Sequence, residues 1–270
     1  MNNYQLISNQ VEQFKKLRDE VTRVMMMYQF ALTELETKIE ILKEEYQLLH
    51  DYNPIEHTKS RVKSFESIIG KIQRKNLPFS INSIRNEIKD VAGIRITCSF
   101  ISDIYRVQEM LQKHFDVEIY EMKDYISDPK PNGYRSLHLI AGVPVVMTTG
   151  REIVCVEIQI RTIAMDFWAS LEHKIFYKYD QAVPTKLTLE LKQAADAANN
   201  LDEQMERLHH EITIIKENQD NDDNDEFTRL LLNQVSKSQL KLPNIFEQAI
   251  IELPTVTEMT EESVHEEKGE

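Results

Sequence analysis

The feature that most constrains this fold is a change of hydrophobic period along the chain. Apolar residues fall at Val11, Phe14, Leu17, Val21, Val24, Tyr28, Leu32, Leu35, Ile39, Leu42, Tyr46 and Leu49, with no Gly or Pro among them. Steps of three and four spell one long amphipathic helix, or two stacked ones, ending before Pro54. The rhythm resumes after Pro184, from Leu187 and Leu191 through Leu201, Met205, Leu208, Ile212 and Ile215. In between, the period drops to two. Ile94, Ile96, Cys98 and Phe100 alternate with Gly93, Arg95, Thr97 and Ser99, and Val154, Val156, Ile158 and Ile160 alternate with Cys155, Glu157, Gln159 and Arg161. Strands are also expected near Val117–Tyr120 and Ser136–Val146, with Ser102 as the N-cap of an intervening helix. The expected class is α/β (α+β): a mixed sheet of about five strands with flanking helices, held between long N- and C-terminal helices. The expected boundaries are an N-terminal helical arm over 1–52, a central domain over 53–182, a second helical arm over 183–217 and an acidic, partly disordered tail over 218–270.

Charge is segregated. The net charge is −13, yet residues 217–226 hold six acids and no base, and 252–270 hold seven acids and one lysine, so the rest of the chain carries about −1. Within that remainder, residues 59–75 carry Lys59, Arg61, Lys63, Lys71, Arg74 and Lys75 against Glu66 alone. A local phosphate site is thereby compatible with an acidic protein; the other reading is a solvated basic helix face. Cys98 and Cys155 both lie in apolar runs, which favours reduced thiols over a bridge, and no stretch is apolar for long enough to cross a membrane. A cytoplasmic protein is expected.

Alternation puts Arg95, Ser136, His138, Glu157 and Gln159 on the polar side of their strands, with Asp90 at the entrance of the first. A half-solvated sheet is the plain account; a site is the other. Three segments add to the second. On a helix, Lys63, Ser67 and Lys71 would share one face, a row of cations suited to a polyphosphate. Pro129, Pro131 and Gly133 would make a rigid loop offering Tyr134 as a stacking plane. Glu157 lies on a strand that runs straight into the aromatic helix Met165–His173, where Phe167 and Trp168 are expected in the core. Neither a Walker loop nor a dinucleotide fingerprint is present.

Five segments in order, Arg61-x-Lys63-Ser64-x-x-Ser67-Ile68-x-x-Lys71, Asp90-Val-Ala-Gly93-Ile-Arg95, Lys123-Asp124-Tyr125-Ile126, Pro131-Asn132-Gly133-Tyr134-Arg135-Ser136-Leu137-His138 and Glu157-Ile-Gln159-Ile-Arg161-Thr162, resemble the synthetase domain of the RelA/SpoT family. The similarity spans roughly 50–215, without hydrolase, TGS or ACT domains, as in a small alarmone synthetase of nucleotidyltransferase-like fold. The resemblance implies transfer of pyrophosphate from ATP to the 3′-hydroxyl of GTP or GDP, with AMP released. It implies Mg²⁺ as cofactor, held by Asp90 and Glu157, with Glu157 as candidate base. Arg61 and Arg95 would sandwich adenine, and Lys63, Ser64 and Lys71 would grip the donor phosphates. Tyr134 would stack on guanine, with Lys130, Asn132, His138 and Gln159 around the acceptor. Arg161 would serve as a structural ion-pair partner, and Asp166 stays outside the site. Members of the family form tetramers through terminal helices, so a homotetramer is expected, although intramolecular packing also accounts for the stripes. Two alternatives stand beside this reading: a single-stranded RNA-binding module without turnover, and a pyrophosphotransferase of the same fold acting on another acceptor.

Overall fold

The computed structural model describes residues 3–49, 52–114, 116–176 and 184–238. Their order is α1 (Asn3–Leu49), β1 (Ile55–Val62), α2 (Phe65–Arg74), α3 (Ile81–Glu87), β2 (Ala92–Cys98), α4 (Ile101–His114), β3 (Glu118–Asp124), β4 (Leu137–Met147), β5 (Gly150–Thr162), α5 (Ile163–Phe176) and α6 (Thr185–Ser238). Five strands form one mixed sheet in the order β1-β2-β5-β4-β3. Only β2 and β5 run parallel; the other pairs are antiparallel.

One sheet face is aliphatic because the period-two residues demand it. Ile94, Ile96, Leu139, Val143, Val156, Ile158 and Ile160 are buried there. The middle of α1 joins the same core through Val24, Met27, Tyr28, Ala31, Leu32, Leu35 and Ile39, and α4 through Ile104, Val107 and Leu111. Burial of each Val, Leu, Ile or Met among them contributes roughly 1.5–3 kcal/mol. Coverage stops short of the helix ends, since Leu17, Leu48 and Leu49 of α1 remain exposed.

On the opposite face the register lines up polar residues in rows that cross the whole sheet. Lys59 pairs with Arg95, Arg95 with Gln159, Gln159 with His138 and His138 with Lys123. The next row runs Arg61, Gly93, Glu157, Ile140 and Glu121. Directly opposed residues share a face, so Arg95, His138, Glu157 and Gln159 gather there as expected. Cys98 and Cys155 are free thiols, the first buried and the second half-buried.

Three local expectations are corrected. Lys63 is not on a helix: β1 ends at Val62, the Lys63 amide continues the ladder by donating to Val91 O at 2.8 Å, and Ser64 caps α2 by accepting from the Ser67 amide. A β1 strand displaces the helix read there, because Ile55–Val62 finds an open edge of β2 to pair with. Ser102 lies inside α4, and Asp103 turns back to accept from the Phe100 amide at 3.2 Å. Phe167 is exposed at 66%, while Trp168 is buried against Ala169, Ala195, Tyr134 and Leu191.

The chain to His209 forms one compact unit, and His210 onward forms a second. Within the first unit, α6 docks by a mixed stripe. Leu191 O accepts from Trp168 Nε1 at 3.1 Å, Ala195 is buried, Asp202 accepts from Thr162 Oγ1 at 2.6 Å and His209 stacks on Phe100 at 4.1 Å. The apolar stripe of α6 is not the buried one, since Leu201, Met205 and Leu208 are about half exposed. The helix runs through the acidic stretch 217–226 and on to Ser238, where the sequence predicts a partly disordered tail, and the rest of that expected tail, 239–270, lies outside the described residues.

Candidate active site

The centre of the polar face is bounded by two acids brought from different elements. Asp90 sits in the turn before β2, and Glu157 faces the same way from β5 beside Gly93. Two clefts meet at this point. One is lined by Lys59, Ser60, Arg61, Asp90, Gly93, Ile94, Arg95, Glu157 and Gln159. The other is lined by Lys71, Lys75, Glu87, Lys89, Asp90, Glu121, Lys123, Tyr125, Lys130, His138, Ile140 and Glu157. Asp90 and Glu157 are the residues common to both. Gly93 keeps the floor between Arg61 and Glu157 low, because no side chain rises from the middle of that row.

Asp90 is held by two lysines. Its Oδ2 lies 2.6 Å from Lys63 Nζ and 2.7 Å from Lys71 Nζ, while the buried Oδ1 has no hydrogen-bond partner among the described residues. Burial pushes the Asp90 carboxyl up, but the bonds and charges of Lys63 and Lys71 prevail and hold it below the usual aspartate range. Lys63 also donates to Asp90 O at 3.1 Å. One cation extends from the strand ladder and the other from α2, so both expected phosphate ligands converge despite the corrected helix assignment.

Glu157 is the start of a ring of polar contacts. Its Oε2 accepts from Gln159 Nε2 at 2.9 Å, and its Oε1 lies 3.4 Å from His138 Nδ1. His138 Nε2 is 2.7 Å from Tyr134 Oη, which accepts from Arg161 Nη2 at 2.5 Å. Arg161 closes the ring by donating to Gln159 Oε1 at 2.8 Å. Burial acts to raise the Glu157 carboxyl and the Asp90 charge adds to that, yet the bond and charge of His138 and the bond from Gln159 win, keeping it below the ordinary glutamate range. It is therefore ionised at neutral pH.

The loop after β3 is shaped by its own side chains. Asp124 Oδ1 accepts from the Ile126 and Ser127 amides, at 2.8 and 3.2 Å, and Asn132 Oδ1 accepts from the Tyr134 amide at 3.2 Å. Gly133 has φ +88°, and a β-carbon there would sit 2.5 Å from Ala195 Cβ on α6. Glycine is thus required by conformation and by space. Lys130 Nζ stands over the Tyr125 and Tyr134 rings, 4.5 and 4.6 Å from their centroids.

Of the residues expected at the site, Arg61, Lys71, Asp90, Arg95, Lys130, His138, Glu157 and Gln159 line the clefts. Lys63 reaches them through Asp90. Ser64, Asn132 and Tyr134 line neither: Ser64 caps α2, Asn132 shapes the loop and Tyr134 is mostly enclosed by His138, Arg161 and Trp168. Sequence reasoning left Lys59, Tyr125 and Asp166 without roles. Tyr125 was recoverable from its place in the third segment, and it packs edge-on to His138 at 5.2 Å. Asp166 pairs with Arg95 and Arg161, which only the meeting of β2, β5 and α5 reveals.

Residues 60–182 match the model of the region found in RelA and SpoT proteins. The chain is 54% identical over 202 residues to the GTP pyrophosphokinase YwaC of Bacillus subtilis, a span covering 75% of this chain and 96% of that one. The crystal structure of small alarmone synthetase 2 from B. subtilis superposes with a TM-score of 0.66 at 55% identity, over 71% of this chain and 99% of that chain. That of B. subtilis small alarmone synthetase 1 bound to its product pppGpp superposes with a TM-score of 0.64 at 41% identity, over 68% and 94%.

Proposed function

The chain belongs to the RelA/SpoT family as a small alarmone synthetase, and from that premise we propose how its own residues move a pyrophosphoryl group. It is a GTP pyrophosphokinase, transferring the β,γ-pyrophosphate of ATP to the 3′-hydroxyl of GTP or GDP. The observation that carries this reading is that two cation-lined clefts share Asp90 and Glu157. A donor in one and an acceptor in the other would bring their reacting oxygen and phosphorus together at the two acids.

The ionised Glu157 carboxylate takes the proton of the acceptor 3′-hydroxyl. The freed oxygen bonds to the β-phosphorus of ATP while the bond from that phosphorus to the α,β-bridging oxygen breaks, and AMP leaves carrying that oxygen. His138 and Gln159 keep the carboxylate oriented. Arg61 and Arg95 hold the donor base by their planar guanidinium groups, and Lys63 and Lys71 pass from Asp90 to the phosphates. Ser64 acts indirectly, capping the N-terminus of α2, the helix from which Lys71 extends. Lys130 and His138 line the acceptor cleft, Tyr134 backs them through His138, Gln159 orients Glu157 from the donor-side cleft, and Asn132 shapes the loop.

The donor set suits magnesium. Asp90 Oδ1 is buried and unpartnered among the described residues, Glu157 lines the same two clefts, and no group of three or more acid, histidine or cysteine ligands occurs among those residues. A magnesium ion takes one or two carboxylates and completes its shell with phosphate oxygens and water. When bound by Asp90 and Glu157 it would neutralise charge on the transferring phosphate oxygens.

We further propose assembly into a homotetramer through the terminal helices, supported by the exposed stripe of Leu201, Met205 and Leu208 on α6. Among the described residues no helix is long and apolar enough to cross a membrane, in keeping with a cytoplasmic site of action. The test is incubation with ATP, Mg²⁺ and GTP, GDP, GMP or tRNA as competing acceptors. AMP together with pppGpp or ppGpp is expected; RNA binding without AMP would overturn the reading, and product on another acceptor would redirect it.

A further inference from the structure

Asp166 lies in the first turn of α5, a helix capped by Thr162 Oγ1 accepting from the Met165 amide at 3.1 Å. One oxygen of Asp166 serves two arginines from neighbouring strands. Its Oδ1 is 2.9 Å from Arg95 Nη1 and 3.2 Å from Arg161 Nη1. Two guanidinium groups this close repel each other, and the carboxylate between them offsets that repulsion. We propose that Asp166 is a positioning residue that fastens the donor-side arginine, Arg95, to the buried Arg161 network on the acceptor side.

The two arginines depend on Asp166 unequally. Arg161, 4% exposed, also donates to Ser136 Oγ at 3.3 Å, Gln159 Oε1 at 2.8 Å and Tyr134 Oη at 2.5 Å. Arg95 has Asp166 as its ion-pair partner, and its buried Nε has no hydrogen-bond partner among the described residues. Neutralising Asp166 therefore leaves Arg161 anchored but slightly shifted, and lets the repelled Arg95 swing off the cleft floor. Donor binding should suffer more than acceptor binding, and the chemical step little. The inference rests on Arg95 serving the donor nucleotide as proposed above.

The experiment compares the full-length wild type with D166N and D166E in turnover and in equilibrium binding of α,β-methylene ATP and of GDP. Losing a charge-assisted pair of this kind is worth about tenfold. For D166N we expect KM for ATP to rise about tenfold, KM for GDP about threefold, and kcat to stay within about twofold, with the methylene analogue weakened in parallel. D166E, which keeps the charge, should recover most of the ATP affinity. Should D166N fail to fold, D166E alone decides: its folded form is expected to bind the analogue within about threefold of wild type. Unchanged affinities in D166N, a fall in kcat alone, a larger effect on GDP than on ATP, or D166E binding as weakly as an unpaired variant would each overturn the proposal. A wild type that binds both nucleotides but forms no AMP would refute the pyrophosphokinase reading while leaving the binding comparison intact.

Discussion

On the β1–α2 side of the two acids, cations are held by single shared oxygens: Lys63 and Lys71 lean on Asp90 Oδ2, and Arg95 on Asp166 Oδ1. On the β4–β5 side, Glu157, His138, Tyr134, Arg161 and Gln159 hold one another in a closed ring backed by Trp168. The first side is charge awaiting a polyanion, made of long side chains that can exchange one carboxylate for phosphate oxygens. The second is preorganised, with each polar atom placed by its neighbour before any ligand arrives. The contrast suits a reaction in which a flexible triphosphate must be gathered and a ribose hydroxyl must be aimed.

Glu157 stands where the two sides join, so E157Q should break the comparison hardest. Turnover, read as AMP released, should fall roughly 10²–10⁴-fold with the affinity for an ATP analogue nearly unchanged. A variant keeping more than about a tenth of the rate would remove Glu157 from the role of base. Y134A tests the preorganised side alone. It deletes the group between His138 and Arg161, and KM for the acceptor should rise about tenfold, a loss of about 1.4 kcal/mol, with a smaller change for ATP. Equal shifts in the two constants would mean that the ring supports both sides alike.

G133A asks whether the preorganised loop is braced by α6. A positive φ and a β-carbon 2.5 Å from Ala195 Cβ should cost about 1–3 kcal/mol, seen as a lower thermal midpoint together with weaker acceptor binding. Loss of stability with acceptor binding intact would separate brace from site. The smallest effect concerns Asp202, the buried carboxyl that accepts from the Thr162 cap of α5. Burial and the neighbouring Glu206 push it up to about 6 from 3.8, against the Thr162 bond and the Arg135 charge. The folded chain then binds a proton that the unfolded chain has lost between about pH 4 and 6, so stability declines as pH rises through that window. D202N should melt a few degrees higher than wild type at pH 7.5 and converge with it near pH 4; a lower midpoint at pH 7.5 would show that the Thr162 bond outweighs the cost of the buried charge.

The two sides also differ in how legible they were. Alternation in β2 and β5 placed Arg95, Glu157 and Gln159 on one face, since side-chain direction in a strand follows from the backbone alone. The basic run before and within α2 announced a cationic side, although its helical phase was misassigned: a strand edge offered Arg61 and Lys63 a ladder that local pattern does not show. The likeness of five ordered segments pointed to the chemistry. Asp166 and Tyr125 stayed without roles because they work across elements, and Phe167 was expected inside because an aromatic residue in an apolar helix looks buried until the neighbours are placed.

Local periodicity thus determined which stretches became helices or strands and which strand residues turn toward water, because those choices depend on spacing along a few residues. Tertiary structure alone decided that Asp90 meets Lys63 and Lys71, that Asp166 shares an oxygen between Arg95 and Arg161, and that α6 docks by Ala195 and Asp202 with Leu201 and Met205 left outside. Those contacts join residues far apart in the chain, and their partners are selected by strand order and helix docking, which no single segment encodes.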